Sequence, residues 1–273
     1  MSGPMRRPDA GLPEAAAHEI PTGREARRFD GQTVIVTGGA SGIGLAAARR
    51  FAAEGARVVI ADRDAAAAAR AADGLRAAGA AGAAGAPCDV ADEAQVRACV
   101  AEAVARFGRL DVVVNNAGLM VVKAIPDLTA DDWRRVLAVD LLGAFFFIRE
   151  AFAAMRPGGA IINVASVHAL ETTPQAAAYA AAKAGLVSLT RSAALEARAR
   201  GLRVNAVLPG AVDTPMLWDN PNVRAGLEVV DRAAVGTPDD VAAAIAYLAS
   251  ADARFVQGAA LVIDGGRLDR LGG

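Results

Sequence analysis

Residues 32–44 read QTVIVTGGASGIG, and the architecture of the chain follows from them. Gln32 to Val36 is a short run rich in β-branched residues, the composition of a buried strand. Thr37-Gly38-Gly39 breaks it, Ala40-Ser41-Gly42-Ile43-Gly44 extends the turn, and an alanine-rich helical pattern then runs to Glu54. Gly55 stops that helix, and Arg57 to Ala61 (RVVIA) is a second strand ending at Asp62. The glycines let backbone N–H groups at the helix N-terminus approach a pyrophosphate closely. Asp62, about twenty residues after the turn, can accept hydrogen bonds from ribose hydroxyls and would repel a 2′-phosphate. The pattern therefore predicts a dinucleotide site that prefers NAD over NADP, with Arg63 as the one contrary residue.

The alternation continues to the end of the chain. A helix is expected from about Asp64 to Ala78. Gly79 to Pro87 (GAAGAAGAP) is a strand by its place alone, because glycine and alanine are poor strand formers. Asp92 caps a third helix to Phe107, and Leu110 to Val114 (LDVVV) is a strand running into Asn115-Asn116-Ala117-Gly118. Thr129 and Asp132 mark the start of a long apolar helix to about Met155. Ala160 to Ala165 and Arg203 to Leu208 read as strands flanking a helix over 176–199. Asp213 to about Ala234 reads as irregular, Thr237-Pro238 opens a last helix, and Ala260 to Ile263 is a final strand. The expected fold is a single Rossmann-type α/β domain over residues 31–273, one doubly wound parallel sheet with helices on both faces. Residues 1 to about 30, with Pro4, Pro8, Pro13 and Pro21, read as a disordered or loosely docked extension in which Ala15 to Ala17 forms at most a helical turn.

Bulk properties remove several function classes. The 29 basic and 30 acidic residues give a net charge of −1, which offers nothing to nucleic acid or an anionic membrane. No apolar run is long enough to span a bilayer, and Arg6-Arg7 is followed by Pro8-Asp9 rather than an apolar export segment. Cys88 and Cys99 have neither CxxC spacing nor histidine companions, so two free thiols in a reducing cytoplasm are expected, with no metal site.

The chemistry is concentrated in ASVHALETTPQAAAYAAAKAG, beginning at Ala165. Tyr179 and Lys183 are four residues apart on one helical face, and Ser166 ends the preceding strand. An ammonium beside a phenol favours the phenolate, and a serine hydroxyl can hold a carbonyl oxygen before it. Downstream, His168, Glu171, Gln175 and Trp218 are candidate substrate contacts, and Met216 to Trp218 fall where a lid over the cofactor would lie.

Taken together and in order, TGGASGIG (37–44), Asp62, Asp89-Val90, NNAG (115–118), Ser166, YAAAK (179–183), PGAVDT (209–214) and IDGG (263–266) resemble the classical short-chain dehydrogenase/reductase family. The resemblance spans about residues 30 to 267. It implies an NAD(P)-dependent oxidoreductase that interconverts a secondary alcohol or sugar hydroxyl and its carbonyl by hydride transfer, working as a homodimer or homotetramer. It assigns Gly38, Ser41, Gly42, Ile43 and Gly44 to the cofactor turn, and Asp89 and Val90 to the adenine. Asn116, Ala117 and Gly118 go to the ribose, and Pro209, Gly210 and Thr214 to the nicotinamide. Ser166 orients the substrate oxygen and Tyr179 is the acid/base. Lys183 binds ribose and lowers the tyrosine pKa. A 3-oxoacyl-thioester reductase and a non-catalytic nucleotide-sensing protein are the rival readings.

One position departs from the family pattern. Asp140, in Ala138-Val139-Asp140-Leu141, stands where the family commonly has an asparagine that helps arrange a proton relay to the lysine. Either the relay uses the backbone carbonyl there and the change is benign, or Asp140 impairs turnover or moves its pH optimum. The following apolar stretch, Leu141 to Ile148 (LLGAFFFI), is expected to pack on the sheet and against another subunit.

Overall fold

The β-branched runs take the middle of a seven-stranded parallel sheet in the computed structural model of the chain, which describes residues 27–226 and 230–268. The strands are β1 (Thr33–Thr37), β2 (Arg57–Asp62), β3 (Gly82–Pro87), β4 (Val112–Asn115), β5 (Ala160–Val164), β6 (Arg203–Pro209) and β7 (Ala260–Ile263). Between them run α1 (Gly42–Ala53), α2 (Ala65–Ala77), α3 (Glu93–Phe107), α4 (Ala130–Leu137), α5 (Gly143–Ala154), α6 (Ala177–Ala197), α7 (Pro215–Trp218), α8 (Pro221–Arg224) and α9 (Pro238–Ala249). The strand order is β3-β2-β1-β4-β5-β6-β7, so the winding reverses between β1 and β4. A reversal of this kind opens a crevice at the carboxyl ends of the two strands.

Successive strand residues feed opposite layers. Val34, Val36, Val58, Ile60, Val112, Val114 and Ile162 share one buried cluster with residues of α1 and α9. Ile35, Val59, Val113 and Ile161 share another with residues of α3, α5 and α6. This is the two-sided burial expected of a parallel sheet. The poor strand formers of β3 have a packing reason. A Cβ on Gly85 would come within 2.8 Å of the α2 backbone at Ala68, so the close approach of helix to strand excludes a side chain there.

Three expectations are corrected. The helix from Thr129 toward Met155 is not uniform: a π turn, Ala138–Leu142, joins α4 to α5. Residues 213–234 are not simply irregular, because the single-turn helices α7 and α8 each begin at a proline. Residues 1–26 of the expected N-terminal extension, including Ala15 to Ala17, lie outside the described residues, but its last residues belong to the core. Phe29 is fully buried with its ring 4.7 Å from that of Phe51, and Arg28 donates to both carboxylate oxygens of Glu54.

Candidate active site

The cleft at the switch point has a volume of about 810 Å³. Its floor is the β1–α1 turn. Ser41 occupies the N-cap of α1 but makes no side-chain capping bond, so the first-turn N–H groups are not taken by a cap. Uncapped donors at a helix N-terminus on a cleft are what a pyrophosphate requires, and the residues present fit a dinucleotide. Gly44 does not line the cleft. It lets α1 lie against the turn, since a Cβ there would meet the Gly38 carbonyl oxygen at 2.3 Å. The turn is tied to β4: Thr37 Oγ1 accepts from the N–H groups of Asn116 and Ala117, and Asn116 Nδ2 donates to the Thr37 and Gly38 carbonyls.

Asp62 lies at the end of β2, where one carboxylate oxygen accepts from the Ala40 N–H at 3.2 Å and the other from the Asp64 N–H at 3.1 Å. Asp62 and Arg63 both line the cleft, as do Asp89, Val90, Asn116, Ala117, Gly118, Pro209, Gly210 and Thr214. The cleft lining therefore includes these residues expected to hold a nucleotide.

The same cleft gathers the proton-transfer residues. Helix α6 is held in register by a buried polar ladder: Asn115 Nδ2 donates to Asn163 Oδ1, and Asn163 Nδ2 donates to Thr190 Oγ1, both at 2.8 Å. On the same helix Tyr179 and Lys183 are buried, with the ammonium 5.5 Å from the phenol ring centroid. Ser166, just beyond β5, lines the cleft beside the phenol, and its Oγ accepts from the His168 N–H at 3.2 Å. Lys183 Nζ donates to the Val164 carbonyl at 3.0 Å and lies 3.2 Å from Asp140 Oδ2. The π turn brings Asp140 into this position, where it is 1% exposed and accepts from the Leu119 N–H through Oδ1. Gly118 leaves room for the pair, because a Cβ there would meet Asp140 Oδ2 at 2.9 Å and Lys183 Nζ at 3.3 Å.

The electrostatics differ from expectation. Burial pushes the Tyr179 phenol above its ordinary value; Lys183 works against that shift, while Asp140 adds to it. Lysine favours the phenolate as expected, but burial outweighs it. Burial acts to lower Lys183, yet the Asp140 carboxylate and then Tyr179 outweigh it, and the ammonium ends above its ordinary value. Burial likewise raises Asp140 against the pull of Lys183.

The candidate substrate contacts separate. His168 lines the cleft, edge-on to Tyr179 with centroids 5.6 Å apart, and its Nδ1 is 3.0 Å from Thr172 Oγ1. Gln175 and Glu171 do not line it; Gln175 takes a left-handed turn at φ 67° and uses its carbonyl to accept from Lys123 N–H. Trp218 also turns aside: its Nε1 donates to Asp213, and the Arg232 guanidinium lies 4.5 Å from its ring centroid. Its neighbours Met216 and Leu217 face the cleft instead. Sequence reasoning missed Met120, Thr173 and Arg267 on the cleft wall. Met120 and Arg267 were within reach of a strand-end argument, since they follow the NNAG turn after β4 and the IDGG turn after β7, whereas nothing in the sequence marks Thr173.

The family model described as enoyl-(acyl carrier protein) reductase matches residues 38–267. The chain is 45% identical over 245 residues to cis-4-hydroxycyclohexanecarboxylate dehydrogenase of Sinomonas cyclohexanicum, covering 87% of this chain and 97% of the relative. It is 43% identical to 3β-hydroxysteroid dehydrogenase 1 of Eggerthella lenta, covering 86% and 93% respectively. A crystal structure of a short-chain dehydrogenase from Burkholderia cenocepacia in complex with NADP superposes with a TM-score of 0.80 at 35% identity, covering 87% of this chain and 98% of that one. With this fold, this site and these relatives, the chain belongs to the short-chain dehydrogenase/reductase family of oxidoreductases acting on hydroxyl groups.

Proposed function

We propose that the protein is an NAD-linked dehydrogenase that interconverts a secondary alcohol, carried on an apolar cyclic body, and its ketone. The observation that carries this reading is the convergence of Ser166, Tyr179 and Lys183 on a cleft that begins at the uncapped turn of α1. A nicotinamide bound there supplies the hydride acceptor or donor. The turn residues Gly38, Ser41, Gly42 and Ile43 hold the pyrophosphate, with Asp62 on the adenosine ribose and Asp89 and Val90 beside the adenine. Asn116, Ala117, Gly118 and Lys183 hold the second ribose, and Pro209, Gly210 and Thr214 support the nicotinamide. Ser166 donates to the substrate oxygen and Tyr179 moves the hydroxyl proton; His168, at the edge of the Tyr179 ring, is placed to meet the substrate. Met120, Val167, Met216 and Leu217 supply apolar lining suited to a ring, and two relatives are named for cyclic hydroxyl compounds.

The preference for NAD rests on the Asp62 carboxylate at the end of β2, set against Arg63 beside it. We also take the protein to act in the cytoplasm as a homodimer or homotetramer, supported by two buried free cysteines and by exposed Leu142 and Phe145. Among the described residues no helix is long and apolar enough to cross a membrane. The test is a panel of cyclohexanols, hydroxysteroids, acyclic diols, sugars and 3-hydroxyacyl thioesters, assayed with NAD+ and with NADP+. Fastest turnover is expected on a cyclic alcohol with NAD+, and Asp62→Ala is expected to shift the NAD+/NADP+ ratio of kcat/KM toward NADP+ by about tenfold or more, the loss of one charge-assisted contact. Fastest turnover on the acyl thioesters, or with NADP+ in the unaltered protein, rejects the reading.

A further inference from the structure

The family-pattern asparagine position holds a carboxylate in this chain, and the structure gives that carboxylate a partner. Asp140 Oδ2 has no hydrogen bond and lies 3.2 Å from Lys183 Nζ. Both side chains are almost wholly buried, Asp140 at 1% and Lys183 at 3% exposure. A carboxylate this deep is tolerated only with a compensating cation, and Lys183 is the cation within reach. We infer that Asp140 is a positioning residue that holds Lys183 in a buried ion pair and withholds its charge from Tyr179, so that the phenol ionises, and alcohol oxidation rises, at higher pH than with an amide at this position. The inference rests on the dehydrogenase reading for its catalytic consequence but not for its electrostatics.

The charge count gives the reason. With Asp140 ionised and Lys183 protonated, the pair is neutral, and ionising Tyr179 leaves one net negative charge in a buried site. With asparagine, ionising Tyr179 would instead neutralise the ammonium. Removing a carboxylate several ångströms away in a partly buried site lowers a neighbouring acid's midpoint by about one to two pH units. The groups that face the phenol come from three elements. Asp140 is on the π turn, Ser166 and His168 lie on the segment after β5, and Lys183 is on α6 itself. Ser166 and His168 are present in either variant, so they do not produce the difference. Arg63, Arg135, Arg267, Asp62 and Asp89 line the same cleft and are likewise unchanged.

The chain has two tyrosines, Tyr179 and Tyr247, and the second is exposed on α9. A Tyr247→Phe protein therefore reports Tyr179 alone in an ultraviolet tyrosinate titration of the cofactor-free, full-length chain. Adding Asp140→Asn is expected to lower the Tyr179 midpoint by about half a pH unit or more. A smaller fall, or a rise, overturns the inference. If the asparagine variant does not fold, as judged by circular dichroism, Asp140→Ser removes the same charge and is read by the same threshold. In the native background, the pH profile of kcat for alcohol oxidation is expected to move to lower pH with Asp140→Asn, and coincident profiles overturn the catalytic half of the inference. Absence of turnover on every alcohol in both proteins rejects the dehydrogenase reading, while the titration still decides the electrostatic one.

Discussion

At the scale of single residues, Tyr179 is the group on which the proposed chemistry turns. Its ring is buried against His168 and within 5.5 Å of the Lys183 ammonium, so removing the hydroxyl leaves the packing intact. Tyr179→Phe is expected to lower kcat by about 10²–10⁴-fold, the usual contribution of a general acid or base, while NADH affinity followed by fluorescence stays within about twofold. Retained turnover would move the acid/base role elsewhere. The Ser166, Tyr179 and Lys183 constellation was legible because the tyrosine and lysine are one helical turn apart and the serine closes a recognisable strand. The pairing of Asp140 with Lys183 was not, because the two are remote in sequence and a π turn, which hardly disturbs an apolar pattern, decides where the carboxylate points. The directions of Gln175 and Trp218 were hidden for a related reason. A left-handed backbone at one and an Asp213–Arg232 environment at the other redirect side chains whose sequence context looks like pocket.

At the scale of elements, what sequence could read was whatever carries its own local signal. The strands β1, β2, β5 and β6 and the caps of α3, α4 and α9 fall where β-branched runs and Thr or Asp starts put them. β3 was recoverable only from the alternation, since its glycine and alanine answer to the nearness of α2 rather than to strand propensity. Phe29 was lost among prolines because its partner, Phe51, lies on a helix that the local pattern cannot connect to it. Phe29→Ala is expected to cost about 3–5 kcal/mol in chemical denaturation, the range for emptying a buried aromatic site; a cost below about 1 kcal/mol would return the segment to a loosely docked extension. The start of α4 makes a pH prediction. A hydrogen bond from Lys123, and then those from Thr129, hold the Asp132 carboxyl down at about 2. Because this folded-state value lies below the unfolded value of about 3.9, the stabilisation is present in full above about pH 4 and is lost as the pH falls through about 2. Asp132→Asn is expected to be less stable than the native chain at pH 7, with the gap closing between about pH 4 and pH 2 in denaturation curves; a gap constant over that range removes Asp132 as its source.

At the scale of the whole molecule, the central strands bury their residues on both faces, while helix α5 is among the elements that keep apolar surface exposed. Helix α5 lays Phe147, Ile148 and Ala151 against the sheet, while Phe145 stays 39% exposed and Leu142, at the end of the π turn, 45%. The face is not simply solvent-adapted. Arg149 stacks its guanidinium near both Phe145 and Phe146, and its charge is taken up by Glu93 and Glu150 at 2.9 and 3.1 Å, leaving apolar rings beside a neutralised cation. A surface of that kind, rimmed by paired charges, is where we place the association face of the proposed oligomer. The proposed homodimer or homotetramer therefore has a specific dependence on Phe145. Light scattering of the native chain is expected to give a mass of two or four chains. Phe145→Glu would bury an unpaired carboxylate at the same face, and it is expected to shift the mass to a single chain at micromolar concentration with the circular dichroism spectrum unchanged. A native chain that runs as a monomer, or a Phe145→Glu protein that keeps the full oligomeric mass, would place the association face elsewhere and leave the exposed rings of this helix as surface alone.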